Sequence, residues 1–241
     1  MKSEFQLSTY EYEYPEELLA HSPDEIRSHS KLLDFTAKTI KHQYFHQLPQ
    51  IFEKPCLFVR NNTKVRHARL FGQKLSGGKV ECLITRHHHE NTWEGLFRPA
   101  RRLRPGTVVE LPQKVQLRIT QSLGEGAFLA QVEGTPDFEE FLQEFGTLPL
   151  PPYIKDYEGP SDRYQTVFSS EVGASAAPTA GLHFDAEVIA RLVEKGHRFA
   201  DLTLHVGPGT FRPMDTDDIR DFNIHREYIR SEEHTSELQS P

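Results

Sequence analysis

Two short runs in this chain combine residue types that can hold and work on a polar ligand. The first is Pro178-Thr179-Ala180-Gly181-Leu182-His183, and the second is His205-Val206-Gly207-Pro208-Gly209-Thr210-Phe211-Arg212-Pro213. Each places a histidine and a threonine among small or turn-forming residues. Gly207 and Gly209 lack a Cβ, so a bound group can approach the backbone there. Thr179, Thr210, His183, His205 and Arg212 supply donors and acceptors. Two polar, glycine-containing turns on either side of one helical segment read as two walls of one pocket. The competing reading is a pair of ordinary turns whose histidines are satisfied in a core.

The elements that must position these residues follow from periodicity. Val188, Ile189, Leu192 and Val193 form the apolar face of a helix over 185–195, with Gly196 as its C-terminal stop. A strand over 199–206 delivers His205 to the second glycine turn. Upstream, Pro55–Val59 reads as a buried strand that runs into Arg60-Asn61-Asn62-Thr63-Lys64. Polar residues at a strand end commonly face a crevice, which makes Asn61 and Lys64 candidates for ligand contact; an Asn-rich turn is the plain alternative. Phe5–Tyr14 alternates like a strand, 15–20 and 45–48 like short helices, and 32–39 like another strand. From 68 to 133 short apolar runs recur between Gly77-Gly78, Pro105-Gly106, Pro112 and Gly124. That spacing predicts a small all-β barrel inserted in the chain. A helix over 137–145 ends at Gly146, and the proline-rich connector 148–153 leads back. The fold class expected is mixed α/β: a main domain over 1–66 and 151–229, with a barrel domain over 67–150. Residues 230–241 read as a non-native tail on a chain cut after Ile229.

Bulk properties narrow the function. The 241 residues carry a formal charge of −7, with 37% hydrophobic and 26% charged residues. That is the profile of a soluble protein, and it argues against a simple electrostatic nucleic-acid binder while permitting a local basic face. Cys56 and Cys82 fit no zinc or redox spacing and read as reduced thiols of a cytoplasmic protein. No signal peptide and no span-length apolar run is present. A nucleotide hydrolase is disfavoured because no phosphate-cradling glycine loop with Lys-Ser/Thr exists.

The runs Pro178–Phe184 and Thr203–Pro213 resemble those of the S-adenosylmethionine:tRNA ribosyltransferase-isomerase family of queuosine biosynthesis. Leu148–Ile154, Arg163–Thr166 and the segment from Asn61 through Arg69 to Leu70 match as well, so the resemblance covers nearly all of 4–229. Asn62 stands where the family usually has aspartate, Arg66-His67 where an apolar residue and proline are usual, and Asp221 where histidine is common. The resemblance implies transfer of the ribosyl part of S-adenosylmethionine to a 7-aminomethyl-7-deazaguanine base in the tRNA anticodon. The ribosyl part rearranges to an epoxycyclopentanediol as adenine and methionine leave. It implies a monomer with S-adenosylmethionine as co-substrate and no metal or redox cofactor.

Within that reaction, His183 and His205 would share the proton transfers, because imidazole titrates near working pH. Thr179 and Thr210 would hold ribose hydroxyls, and the amides of Gly181, Gly207 and Gly209 would approach the ligand. Arg212 would hold the methionine carboxylate. Asn61, Lys64 and Arg69 complete the substrate-binding set, and Tyr164, Tyr153 or Phe211 would shelve the flipped base. Arg98, Arg101, Arg102 and Arg104 form a basic patch for tRNA phosphates, or else a charged barrel edge. His87-His88-His89 reads as a solvated loop rather than a metal site. The alternatives are a non-catalytic RNA-binding barrel, from another class, and an inactive fragment of the enzyme; adenine release would separate both from an active enzyme.

Overall fold

The computed structural model describes residues 3–20, 22–151, 154, 159–211, 214–225 and 227–231. In chain order it forms β1 (Lys31–Asp34), β2 (Lys41–Tyr44), α1 (Leu48–Ile51), β3 (Leu57–Asn61), β4 (Thr63–Val65), β5 (Arg69–Lys74), β6 (Lys79–His89), β7 (Thr92–Arg98), β8 (Val108–Glu110), β9 (Gln116–Gly124) and β10 (Ala127–Glu133). There follow α2 (Phe138–Phe145), β11 (Glu171–Ala174), α3 (Ala186–Glu194), β12 (Arg198–His205) and β13 (Tyr228–Ser231). The chain divides into two units. One comprises Met1–Lys64, Pro151–Glu171 and Ala177–Pro241, and the other Val65–Leu150 and Val172–Ala176.

The second unit is a closed antiparallel barrel with strand order β10-β7-β6-β5-β8-β9. Its strands alternate as a half-buried ladder must: Val80, Cys82 and Ile84 of β6 point inward, as do Leu117 and Ile119 of β9 and Phe128, Ala130 and Val132 of β10. Closure leaves no free sheet edge to pair with other chains. Helix α2 adds Phe138, Phe141 and Leu142 to the same core. Asp137 starts that helix by accepting from the N–H groups of Glu139 and Glu140. Cys82 is fully buried in the barrel, and desolvation pushes its thiol far up, which makes it inert.

The first unit is mixed α/β. Strand β12 lies at the centre of a three-stranded sheet, parallel to β3 and antiparallel to β13. Helix α3 buries Val188 and Leu192 beside Phe45, with Leu32, Leu48, Phe58, Phe184 and Phe199 packed around them. Asp185 caps α3 by accepting from the N–H of Val188 at 2.9 Å. The mixed α/β class with a β-barrel is therefore the architecture observed.

Several local expectations are corrected. The segment from Phe5 to Tyr14 is no strand: Leu7–Thr9 is a 3-10 turn, and Tyr10, Tyr12 and Tyr14 are 56%, 80% and 55% exposed. Among the described residues its only pairing is a single antiparallel bridge of Gln6 with Asp218. Glu16–Leu18 is a single 3-10 turn rather than a helix. Strand β3 is covered on one face only, with Leu57 and Val59 mostly exposed. Val193 also faces out, so the apolar stripe of α3 is narrower than its sequence suggests. Strand β13 includes Arg230 and Ser231, which were expected to lie in the tail; residues 232–241 lie outside the described residues.

Candidate functional site

The candidate residues lie on the end of β12 and on the turns that follow β3 and precede α3. Asn61, at the end of β3, is a bracket across to β12. Its Oδ1 accepts from the N–H groups of Thr63 and Leu204, and its Nδ2 donates to the Leu204 carbonyl at 2.9 Å. Asn62 latches the same strand, with its Oδ1 accepting from the Thr203 hydroxyl at 2.7 Å and its N–H donating to Leu202. Fully buried Thr63 then meets His205: its Oγ1 lies 2.7 Å from His205 Nδ1. The strand-end polar run thus sets the height and orientation of His205. The hydrogen bonds of the Asn61 side chain all run to backbone groups, which makes it a positioning residue for β12.

His183 ends the 3-10 turn Thr179–His183 and is half-buried with its ring 5.4 Å from that of Phe45. Burial lowers its pKa from 6.5, and the nearby Arg27 guanidinium adds to the effect. Arg27 secures the turn by donating to the Leu182 carbonyl at 3.0 Å and to the Asp162 carbonyl at 2.9 Å. Thr179 is exposed on this turn and Thr210 on the turn after β12, so both hydroxyl-bearing side chains face solvent.

The glycines do different work from that expected. The Gly181 N–H donates to the Pro178 carbonyl at 2.8 Å, and a Cβ at Gly181 would stand 2.9 Å from Phe168 and Thr166 atoms. Gly181 therefore serves packing, and its amide is spent within the turn. The Gly207 N–H donates to Glu227 Oε1 at 3.0 Å. A Cβ on Gly209 would clash with Cγ and Nδ1 of the His225 imidazole. The close approach that the second glycine turn permits is to this chain's own histidine.

Sequence reasoning passed over that pair. His225 Nε2 and Glu227 Oε1 are 2.9 Å apart, with side chains 34% and 24% exposed. The signal was available: a His-x-Glu spacing on extended chain puts both side chains on one face.

Other expected residues fall elsewhere. Tyr164 is 6% exposed, so its ring is core and not an open shelf for a base. Lys64 is exposed at the end of the unit's first segment. Arg69 belongs to the barrel unit, where its Nε donates to Glu81 at 2.8 Å. Arg212 and Tyr153 lie outside the described residues. The histidine run is the end of β6 and not a loop. There His87 packs on Trp93 and bonds the Glu90 carbonyl, and His88 bonds Glu94 at 2.9 Å. Among the described residues no group of three or more His, Cys, Asp or Glu could hold a metal ion. Arg98, Arg101, Arg102 and Arg104 are all exposed, around the 3-10 turn Ala100–Arg102. Two cavities, of about 700 and 210 Å³, are lined by residues of the barrel unit alone, the larger by Gly72, Arg98 and Glu110 among others. Neither is lined by the histidines above. Among the described residues no helix is long and apolar enough to cross a membrane.

Residues 7–239 match the family described as "Queuosine biosynthesis protein". The chain is 42% identical over 234 residues to the S-adenosylmethionine:tRNA ribosyltransferase-isomerase of Gloeobacter violaceus, covering 97% of this chain and 66% of that one. It is 44% identical over 230 residues to the enzyme of the same name from Thermosipho africanus, covering 94% and 68%. Among solved structures, the S-adenosylmethionine tRNA ribosyltransferase of Thermotoga maritima is 27% identical, covers 85% of this chain and 59% of that one, and superposes with a TM-score of 0.33. The chain thus spans about two thirds of the length of the curated relatives. On a match of that extent, the chain belongs to the queuosine biosynthesis protein family.

Proposed function

We propose that the protein transfers and isomerises the ribosyl part of S-adenosylmethionine onto the 7-aminomethyl-7-deazaguanine base of tRNA. The product is epoxyqueuosine in the anticodon, with adenine and methionine released. The observation that carries this reading is the 42% identity to a relative of that name over 97% of the chain. The reaction needs a base for a proton beside the sulfonium, an acid for departing adenine, and donors for the ribose oxygens. The unit containing β12 offers imidazoles at His183 and His205 and exposed hydroxyls at Thr179 and Thr210. His205 is braced by Thr63, which fixes one ring nitrogen and so the plane of the ring. The four exposed arginines of the barrel unit are the groups proposed to meet tRNA phosphates. S-Adenosylmethionine is a co-substrate in this scheme, and no metal or redox group is required. The protein is proposed to act as a monomer in the cytoplasm.

The test is incubation of the protein with S-adenosylmethionine and tRNA bearing the 7-aminomethyl-7-deazaguanine base. Adenine release, together with a mass gain of the tRNA nucleoside, is the expected result. S-Adenosylmethionine left intact, with unmodified tRNA recovered, rules the reading out.

A further inference from the structure

The pair against the second glycine turn carries an assignment of its own. Glu227 Oε1 is shared between the Gly207 N–H at 3.0 Å and His225 Nε2 at 2.9 Å. A carboxylate oxygen only accepts, so His225 must carry its proton on Nε2 to make this bond. In the neutral ring Nδ1 then holds the lone pair. Among the described residues Nδ1 has no hydrogen-bond partner. The ring lies close against Gly209, where a Cβ would clash with its Cγ and Nδ1 atoms. A tautomer set by a carboxylate, a free nitrogen lone pair and a ring locked by a turn are the parts of a general base and its positioning residue.

We propose that His225 is the base that removes the proton from the carbon beside the sulfonium, and that Glu227 is its positioning residue. The inference rests on the proposed reaction and assigns its first proton transfer. In that step the C–H bond breaks and its electron pair stays on carbon, forming a sulfonium ylide. The proton bonds to His225 Nδ1, giving an imidazolium that faces the Glu227 carboxylate. An imidazole that gains a proton becomes a cation. At His183 burial and Arg27 both oppose that cation, whereas at His225 the Glu227 carboxylate oxygen lies 2.9 Å from Nε2. His205 is then left for adenine departure and His183 for ribose contact. His225 is not among the buried residues of the core, so the variants below are expected to fold.

The experiment compares the unsubstituted protein with His225→Ala, His225→Gln and Glu227→Gln, using S-adenosylmethionine and the modified tRNA. Four quantities are read: S-adenosylmethionine binding, adenine release, deuterium entry from D2O at the carbon beside sulfur, and rescue by added imidazole. Both His225 variants are expected to bind S-adenosylmethionine as the unsubstituted protein does, to lose deuterium entry, and to release adenine at least roughly 100-fold more slowly. Imidazole should restore part of the rate to His225→Ala, where it can occupy the slot over Gly209, and none to Glu227→Gln. Glu227→Gln should lower kcat while leaving KM for S-adenosylmethionine unchanged. Adenine release by His225→Ala at the unsubstituted rate overturns the assignment while leaving the proposed reaction standing. Loss of S-adenosylmethionine binding in both His225 variants also overturns it, because the residue then holds ligand. If the unsubstituted protein releases no adenine, the proposed reaction itself fails and this role goes with it.

Discussion

At the scale of single residues, Gly209 decides whether His225 stays where it is. A methyl group there would clash with the Cγ and Nδ1 atoms of the imidazole, while one on Gly207 would meet His225 only at ordinary contact distance, 3.5 Å from Cδ2 and 3.9 Å from Nε2. Gly209→Ala should therefore push the ring off Glu227 and slow adenine release on the scale of a lost proton transfer, roughly 100-fold, with Gly207→Ala costing less. Equal rates for the two variants would count against a ring seated on Gly209. His183 makes a second prediction. Its pKa lies below 6.5 because burial, and then Arg27, disfavour the imidazolium. The unfolded chain takes up the proton more readily than the folded one below that value, so the stabilisation carried by neutral His183 is present above pH 6.5. It is lost as pH falls through the lowered midpoint. NMR titration should give a midpoint below 6.5 that rises in Arg27→Gln yet stays below it, since burial is the larger cause. In His183→Gln the acid loss of stability should be shallower.

Helix α3 ties the local signals to the position of both turns, since His183 precedes it and β12 follows. Leu192 is fully buried beside Phe45 and Val188, and Asp185 supplies the start of the helix. Leu192→Ala should cost about 2–5 kcal/mol and Asp185→Ala about 1 kcal/mol in urea unfolding. The reverse order would mean that α3 is held by its cap more than by its packing. This helix was legible in the sequence because apolar spacing and stop agree. The barrel was legible for a similar reason: runs such as Val80-Glu81-Cys82-Leu83-Ile84 alternate between turn signals, and closure pairs every one of them. Phe5–Tyr14 alternates equally well and forms no strand, because alternation states which face is apolar and not whether a partner exists. Gly146 was placed correctly at the end of α2 for an incomplete reason. Its φ is −83°, open to any residue, and what excludes a side chain is the approach of the His67 and Leu142 carbonyl oxygens. The His225–Glu227 pair was missed because its meaning lies in contact with Gly207 and Gly209, which are distant in sequence.

For the whole molecule the question is how a chain of net charge −7 would hold a polyanion. Repulsion summed over the surface works against binding at long range, so the favourable field must be local and must dominate at short range. Arg98, Arg101, Arg102 and Arg104 concentrate positive charge on one edge of the barrel unit, and none forms an ion pair among the described residues. By contrast Arg66, Arg69 and Arg118 of that unit are each paired with a glutamate. A guanidinium already neutralised by its own chain displaces few counterions from RNA, whereas an unpaired one displaces them fully. Arg101→Gln and Arg102→Gln should each flatten the slope of log K against log salt by about 0.7–0.9, and the effects should add. Arg118→Gln should change the slope less, since Glu133 already holds that guanidinium at 2.7 Å. S-Adenosylmethionine binding should be unaffected in all three, because the substitutions lie in the barrel unit and the histidine turns do not. Filter-binding titrations of the modified tRNA between low and moderate salt measure these slopes. If Arg118→Gln flattens the slope as much as Arg101→Gln, self-pairing does not select the contacting arginines, and the phosphate contacts must be sought on another face.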